Sequence, residues 1–123
     1  MKKNIILFTF ICVLLSVNVV YSQDNPYKLK TGNDLYTLYK SYKKVKDGNN
    51  TQQNRGKGLI YMSYIRGVWN SFFFFGSIKE KNKSNEQVFD SYGQFLENNP
   101  EIRDESSIYL FFKWLDEVGW LKE

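Results

Sequence analysis

Residues 55–76 read RGKGLIYMSYIRGVWNSFFFFG, and this stretch decides the fold. Tyr61, Tyr64, Ile65, Val68, Trp69 and Phe72 recur at spacings of three and four, the period of one apolar helix face, which predicts a helix over about 55–74. Gly67 lies in the middle of that helix and costs about 1 kcal/mol relative to Ala, so it marks a close approach of a neighbouring helix. Phe72 to Phe75 are four consecutive aromatics that point in all directions around the helix, and Gly76 then ends it. Because a helix has one face to bury, at least one of Phe73 and Phe74 is left facing solvent, a second copy or a partner.

The flanking sequence repeats the helical pattern. Upstream, Thr31 with Asp34 forms an N-terminal capping arrangement. The stripe Leu35, Leu38, Tyr39, Tyr42 and Val45 follows, with Lys43, Lys44 and Lys46 suited to the negative helix end. Asp47 to Asn54 holds no hydrophobic residue and reads as a loop. Downstream, Lys79 to Lys83 forms a charged loop, and Ser84 with Gln87 makes an S-x-x-Q capping box. Val88, Phe89, Tyr92, Phe95 and Leu96 complete a third helix, stopped by Asn98-Asn99-Pro100. A fourth helix follows, with Asp104 as its cap, Glu105 in its first turn, Ile108, Phe111, Phe112, Leu115 and Val118 as its stripe, and Gly119 as its terminator. No alternating pattern of useful length occurs. The expected fold is all-α, a small bundle of four to five short helices.

The N-terminus reads as an export signal over residues 1–22. Lys2 and Lys3 precede the apolar run Ile5–Leu15, and Val20-Tyr21-Ser22 offers a cleavage site before Gln23. The run is short for a membrane span, and Ile11 before Cys12 does not suit lipidation. The expectation is a periplasmic or secreted protein without a stable membrane anchor, its residues 23–123 forming one domain. A domain of that size buries roughly 60–65% of its unfolded surface. The chain has no His, and its one Cys, Cys12, falls within the signal. The mature form therefore has no disulfide and no cofactor or metal site of the usual kind. It also lacks the groups for Ser-His-Asp or Cys-His catalysis, so it is not expected to be an enzyme. A net charge of +4 for the whole chain, lower once Lys2 and Lys3 leave, does not point to a nucleic-acid partner.

Charge is uneven along the chain. Residues 23–83 carry 12 basic and 4 acidic side chains, whereas residues 84–123 carry 3 basic and 9 acidic. The plainer reading is that the halves attract each other as the fold closes; the sharper one is that the acidic half meets a basic partner or guides dimerisation. The candidate partner-binding residues are Phe73 and Phe74, as exposed aromatics, and Glu101, Arg103 and Asp104 on the turn rigidified by Pro100. The carboxylate pairs Glu101/Asp104 and Asp116/Glu117 come with no sequence sign of a pocket around them.

The order of the motifs resembles the Rap/Tai family of small exported helical proteins. The resemblance rests on Tyr61-Met62-Ser63-Tyr64-Ile65-Arg66-Gly67-Val68, on Ser84-Asn85-Glu86-Gln87-Val88, on Tyr92 with Phe95-Leu96 and Asn99-Pro100, and on the stripe from Ile108 to Trp120. The Thr31-Gly32 start with Leu35 is also similar, so the likeness covers most of Thr31 to Trp120. Family members usually carry cysteines that staple the helices. Here Tyr61, the Phe72–Phe75 run and the Gly119-Trp120 end stand near those positions, and Asn99 replaces a His before the Pro. A buried aromatic contributes about 1.5–3 kcal/mol, comparable to a disulfide at roughly 2–4 kcal/mol, so aromatic packing can take the staples' place. The resemblance implies an immunity-type protein that binds and occludes a peptidoglycan amidase effector of a type VI secretion system, with a homodimer as a further implication. The alternative is a periplasmic envelope protein that binds glycan or peptide ligands, or has a structural role, with no toxin partner.

Overall fold

The computed structural model describes residues 29–123; the expected export signal and most of the polar lead-in lie outside the described residues. Four helices follow one another: α1 (Gly32–Lys46), α2 (Gln52–Phe74), α3 (Asn85–Asn98) and α4 (Ser107–Glu117), with a 3-10 turn at Pro100–Ile102 between the last two. Among the described residues no strand forms, so the fold is an all-α bundle.

Helix starts follow side-chain chemistry. Thr31 Oγ1 accepts the Asp34 N–H while the Asp34 carboxylate accepts those of Thr31 and Lys30, both at 3.0 Å. Ser84 and Gln87 make the reciprocal box that begins α3. Two starts differ from expectation. α2 begins at Gln52 rather than Arg55, because Thr51 accepts the Asn54 N–H at 3.2 Å. α4 is capped by Ser106, which accepts the Tyr109 N–H, and not by Asp104. Asp104 is engaged elsewhere, accepting the Asn33 side-chain amide at 2.6 Å.

The ends of α2 and α4 share one solution. Gly76 and Gly119 take positive φ (72° and 70°), a backbone region that suits glycine. Each lets the next N–H turn back to the helix, Ser77 to the Phe72 carbonyl and Trp120 to that of Leu115, both at 2.9 Å. The two exits then pair: the Lys79 N–H reaches the Trp120 carbonyl at 2.7 Å, and the Lys122 N–H reaches that of Ser77 at 2.9 Å.

Aromatics hold the bundle together. Tyr61 is fully buried where the resemblance placed a cysteine, and its hydroxyl donates to the Phe89 carbonyl at 2.7 Å, tying α2 to α3. Its ring lies 5.5 Å from those of Tyr39 and Tyr42 on α1. A second cluster centres on Trp114, 5.0–6.4 Å from Phe111, Trp120, Tyr92 and Trp69. The indole N–H of Trp114 donates to Ser91 Oγ at 3.1 Å. Among the described residues, the buried apolar side chains of the core lie between Leu35 and Leu115.

Gly67 does not mark a crossing of the described helices, contrary to expectation: its Cβ position has no neighbouring element within 4 Å among the described residues. The close approaches lie at other glycines. Gly58 of α2 passes the α1 backbone, its Cβ position 3.2 Å from Tyr42 Cα, and Gly93 of α3 lies against the Tyr39 ring.

The unequal charge of the two halves is partly satisfied inside the molecule. Lys43 pairs with Glu97 at 3.1 Å, and Lys46 with Glu86 at 2.9 Å and Asp90 at 2.7 Å. All three pairs join α1 to α3, as the attraction of the halves implies.

Candidate functional site

The structure separates the two groups of candidate residues. Phe73 and Phe74 lie at the C-terminal end of α2, beyond Phe72, whose ring makes the last core contact with Phe111 at 5.6 Å. Phe73 is 44% exposed and Phe74 is 84% exposed, in agreement with the expectation that the run cannot be wholly buried. Phe74 meets its neighbour Phe75 edge-on, with centroids 5.6 Å apart. Glu101, Arg103 and Asp104 belong to the turn before α4, whereas the Phe run adjoins the chain that leaves α4. The two groups thus bracket α4 from opposite ends.

Within the turn, the three side chains have different tasks. Arg103 lies over the Tyr36 ring at 3.8 Å and donates from Nη2 to the Glu97 carbonyl at 3.3 Å. Its half-buried guanidinium holds the turn against α1 and α3, and its buried Nε has no partner among the described residues. The backbone does the same work, with the Asn33 N–H reaching the Arg103 carbonyl at 2.9 Å and the Gly32 N–H that of Glu105 at 3.1 Å. Asp104 is tied to Asn33. Glu101 is exposed and makes no ion pair among the described residues.

Between the two groups lies a surface that the sequence reading assigned to the core. Ile108 and Phe112 are 50% and 46% exposed rather than buried, and Tyr109 beside them is 52% exposed. The arc that α4 buries is Ser107, Leu110, Phe111, Trp114 and Leu115. Residues 108–112 are all apolar or aromatic, so two overlapping stripes fit the helical period and one arc cannot hold both. The bonded indole of Trp114 and the Phe72–Phe111 contact select which arc turns inward. The available signal was this excess of apolar residues over what one face of an 11-residue helix can cover. Glu105, Ile108, Tyr109, Phe112 and Asp116 therefore follow one another along the outward face, with acids at both ends of an apolar centre and Lys113 at its edge.

The titrating groups with shifted pKa lie in the core and along the α1–α3 seam. Burial raises Tyr61 well above its usual value and also raises Tyr92. Tyr42 is raised by burial and by its 2.9 Å bond to Asp90. Lys46 is raised by its bonds to Asp90 and Glu86. These shifts keep the tyrosines neutral and the lysine charged, which serves packing. Among the described residues, no group of three or more His, Cys, Asp or Glu is placed to hold a metal ion. No described helix is long and apolar enough to cross a membrane.

The chain matches no protein-family model, no curated protein and no solved structure.

Proposed function

We propose that this protein is an exported, immunity-type binding protein that acts by contact, without turnover. The outward face of α4 seats on a partner enzyme, and the acidic turn before it lies along the rim of that partner's cleft. The observation that carries this reading is the row Ile108, Tyr109 and Phe112, each about half exposed on a rigid helix flanked by Glu105 and Asp116. Bulky apolar and aromatic side chains held in place before binding lose little freedom on association. The flanking carboxylates steer a basic partner into register. The finer identity, a peptidoglycan amidase effector of a type VI secretion system, rests on the resemblance in motif order. A second copy on the same face is the homodimer that the same resemblance implies.

The test is capture of secreted proteins from the producing cells by residues 23–123, followed by assay of wall-degrading activity. A single stoichiometric partner whose activity is silenced is the expected result. Ile108→Ser with Phe112→Ser should weaken capture by about two orders of magnitude, since buried anchors of this kind contribute roughly 1–3 kcal/mol each. Both side chains are about half buried in the isolated fold, so the fold should persist with a modest loss of thermal stability. Capture of no enzyme, or equal capture by the double variant, refutes the reading.

A further inference from the structure

α2 has a second face, turned away from the Tyr64 and Phe72 side that touches α4. Arg55, Leu59, Met62, Arg66, Gly67 and Asn70 follow one another along it at helical spacing. Two depressions lie on this face. One, of about 370 Å³, runs along Leu59, Met62, Arg66, Gly67 and Asn70 and is walled by Phe89 of α3. The other, of about 290 Å³, again contains Leu59 and Met62 and is closed by Arg55 and by Tyr42 and Val45 of α1. Sharing Leu59 and Met62, they form one groove between α1 and α3 with an apolar floor. Leu59 is 59% exposed in it.

Two further features point to an occupant. Gly67 opens the groove wall in mid-helix although no described residue approaches it, with nothing among them within 4 Å of its Cβ position. On this face α2 presents Arg55 and Arg66 and no acid, while Asp90 and Glu86, which flank Phe89 on α3, are engaged by Tyr42 and Lys46. Among the described residues neither arginine is in an ion pair. Eleven residues of helix separate Arg55 from Arg66 by about 16 Å, the length of about five residues of extended chain.

We propose that this groove binds an acidic peptide segment in extended form. Carboxylates about five residues apart meet Arg55 and Arg66, an apolar side chain between them rests on Leu59 and Met62, and the peptide backbone lies close to α2 at Gly67. The apolar floor distinguishes this ligand from a simple polyanion, which would gain nothing from it. The groove is separate from the α4 face, so the two readings stand or fall independently.

The experiment is fluorescence anisotropy of labelled Asp-Ala-Leu-Phe-Ala-Glu titrated with the protein. Saturable binding is expected, weakened about tenfold by Arg55→Gln or by Arg66→Gln, as for loss of a charge-assisted contact. Gly67→Leu, which fills the groove from an open position and suits a helix better than Gly, should abolish binding while the melting temperature holds or rises. Ile108→Ser with Phe112→Ser should bind the peptide like the wild type. No saturable binding overturns the proposal, as does binding undiminished in the Arg55, Arg66 and Gly67 variants, or equal binding of poly-glutamate. Self-association abolished by Gly67→Leu, without peptide binding, overturns it in favour of a second copy in the groove.

Discussion

Replacing glycine by alanine at position 93 and at position 67 should have opposite effects on stability. Both residues lie inside helices, and in a helix interior Ala is favoured over Gly by about 1 kcal/mol. At Gly67 that gain is unopposed, because the new methyl group enters open space; Gly67→Ala should stabilise the fold by about 0.5–1 kcal/mol. At Gly93 the new methyl would fall on the Tyr39 ring, 2.5 Å from Cζ and nearer still to Cδ2 and Cε2. Carbon atoms in good contact are about 3.5–4.0 Å apart, so the ring must move by roughly 1 Å or more. It has little freedom to do so: Tyr39 is 4% exposed, and Tyr36, Tyr42 and Tyr61 surround it at 5.5–6.4 Å. Overpacking of this kind costs about 1–3 kcal/mol or more, so after the propensity gain Gly93→Ala should still destabilise by about 2 kcal/mol. For a domain of this size that is a fall in melting temperature of about 10 °C, against a rise of about 4 °C for Gly67→Ala. Thermal and urea unfolding followed by far-ultraviolet circular dichroism measure both, and the sites share no partner, so the double variant should show the sum. A Gly93→Ala protein as stable as the wild type, or a destabilised Gly67→Ala, would refute the assignment of close packing to α3 rather than to the middle of α2.

Other outcomes follow from the same packing. Tyr61→Phe removes the buried hydroxyl that donates to the Phe89 carbonyl and should cost about 0.5–1.5 kcal/mol in urea unfolding; an unchanged midpoint would mean that the bond contributes nothing across the α2–α3 seam. Stability should hold through neutral pH and fall above about pH 10: Tyr42, Tyr61 and Tyr92 have raised pKa values in the fold, so the unfolded chain releases protons there that the native state retains. The raised lysines act in the same direction, since their contribution is present below the unfolded lysine value of about 10.4 and is lost as pH rises through the folded one. Melting temperatures on either side of pH 10, with tyrosinate absorbance as a second probe, check this; an undiminished melting temperature well above pH 10 contradicts it. Lys46→Gln breaks two exposed pairs and should cost no more than about 1 kcal/mol, less at high salt; a larger, salt-independent loss would assign the α1–α3 seam a different basis.

Local chemistry made the helices legible. The Thr31–Asp34 and Ser84–Gln87 boxes and the terminators Gly76 and Gly119 each work through bonds within a few residues, so the sequence alone contains both partners. Where the deciding partner lies far along the chain, local reading fails. Asp104, Glu105 and Ser106 are three consecutive acidic or hydroxyl residues before α4. Asn33, 71 positions away, engages Asp104 and leaves the cap to Ser106. A glycine's purpose is likewise fixed by what passes it, and Tyr39 passes Gly93, not Gly67. Only part of the candidate surface was legible: the exposure of Phe73 and Phe74 follows from the limits of one helix face, whereas that of Ile108 and Phe112 depends on which of two apolar arcs Trp114 turns inward. Arg103 was readable as a turn residue, but its seat over Tyr36 depends on how α1 packs.

The segregation of charge bears on function because stability does not require it. Three ion pairs join α1 to α3, two of them through the same lysine, and all involve side chains that remain at least 36% exposed. Pairs of that kind contribute about 0–1 kcal/mol each. The buried aromatics around Tyr61 and Trp114, at about 1.5–3 kcal/mol apiece, outweigh them several times over. Closing the bundle therefore accounts for Lys43 and Lys46 with Glu86, Asp90 and Glu97, and leaves the remaining imbalance without a structural task. Part of what is left is local: Arg55 and Arg66 lie on one face of α2, while Glu101, Glu105, Asp116 and Glu117 lie on α4 and the turn before it, with Arg103 and Lys113 among them. Each set accompanies exposed apolar side chains, Leu59 on one side of the molecule and Ile108, Tyr109 and Phe112 on the other. Half-exposed apolar groups are costly to solubility and contribute little to the fold, but they give a complementary surface anchorage, and charges beside them give it orientation. The two proposed surfaces lie on different faces of one small bundle, so occupants of one need not compete with occupants of the other.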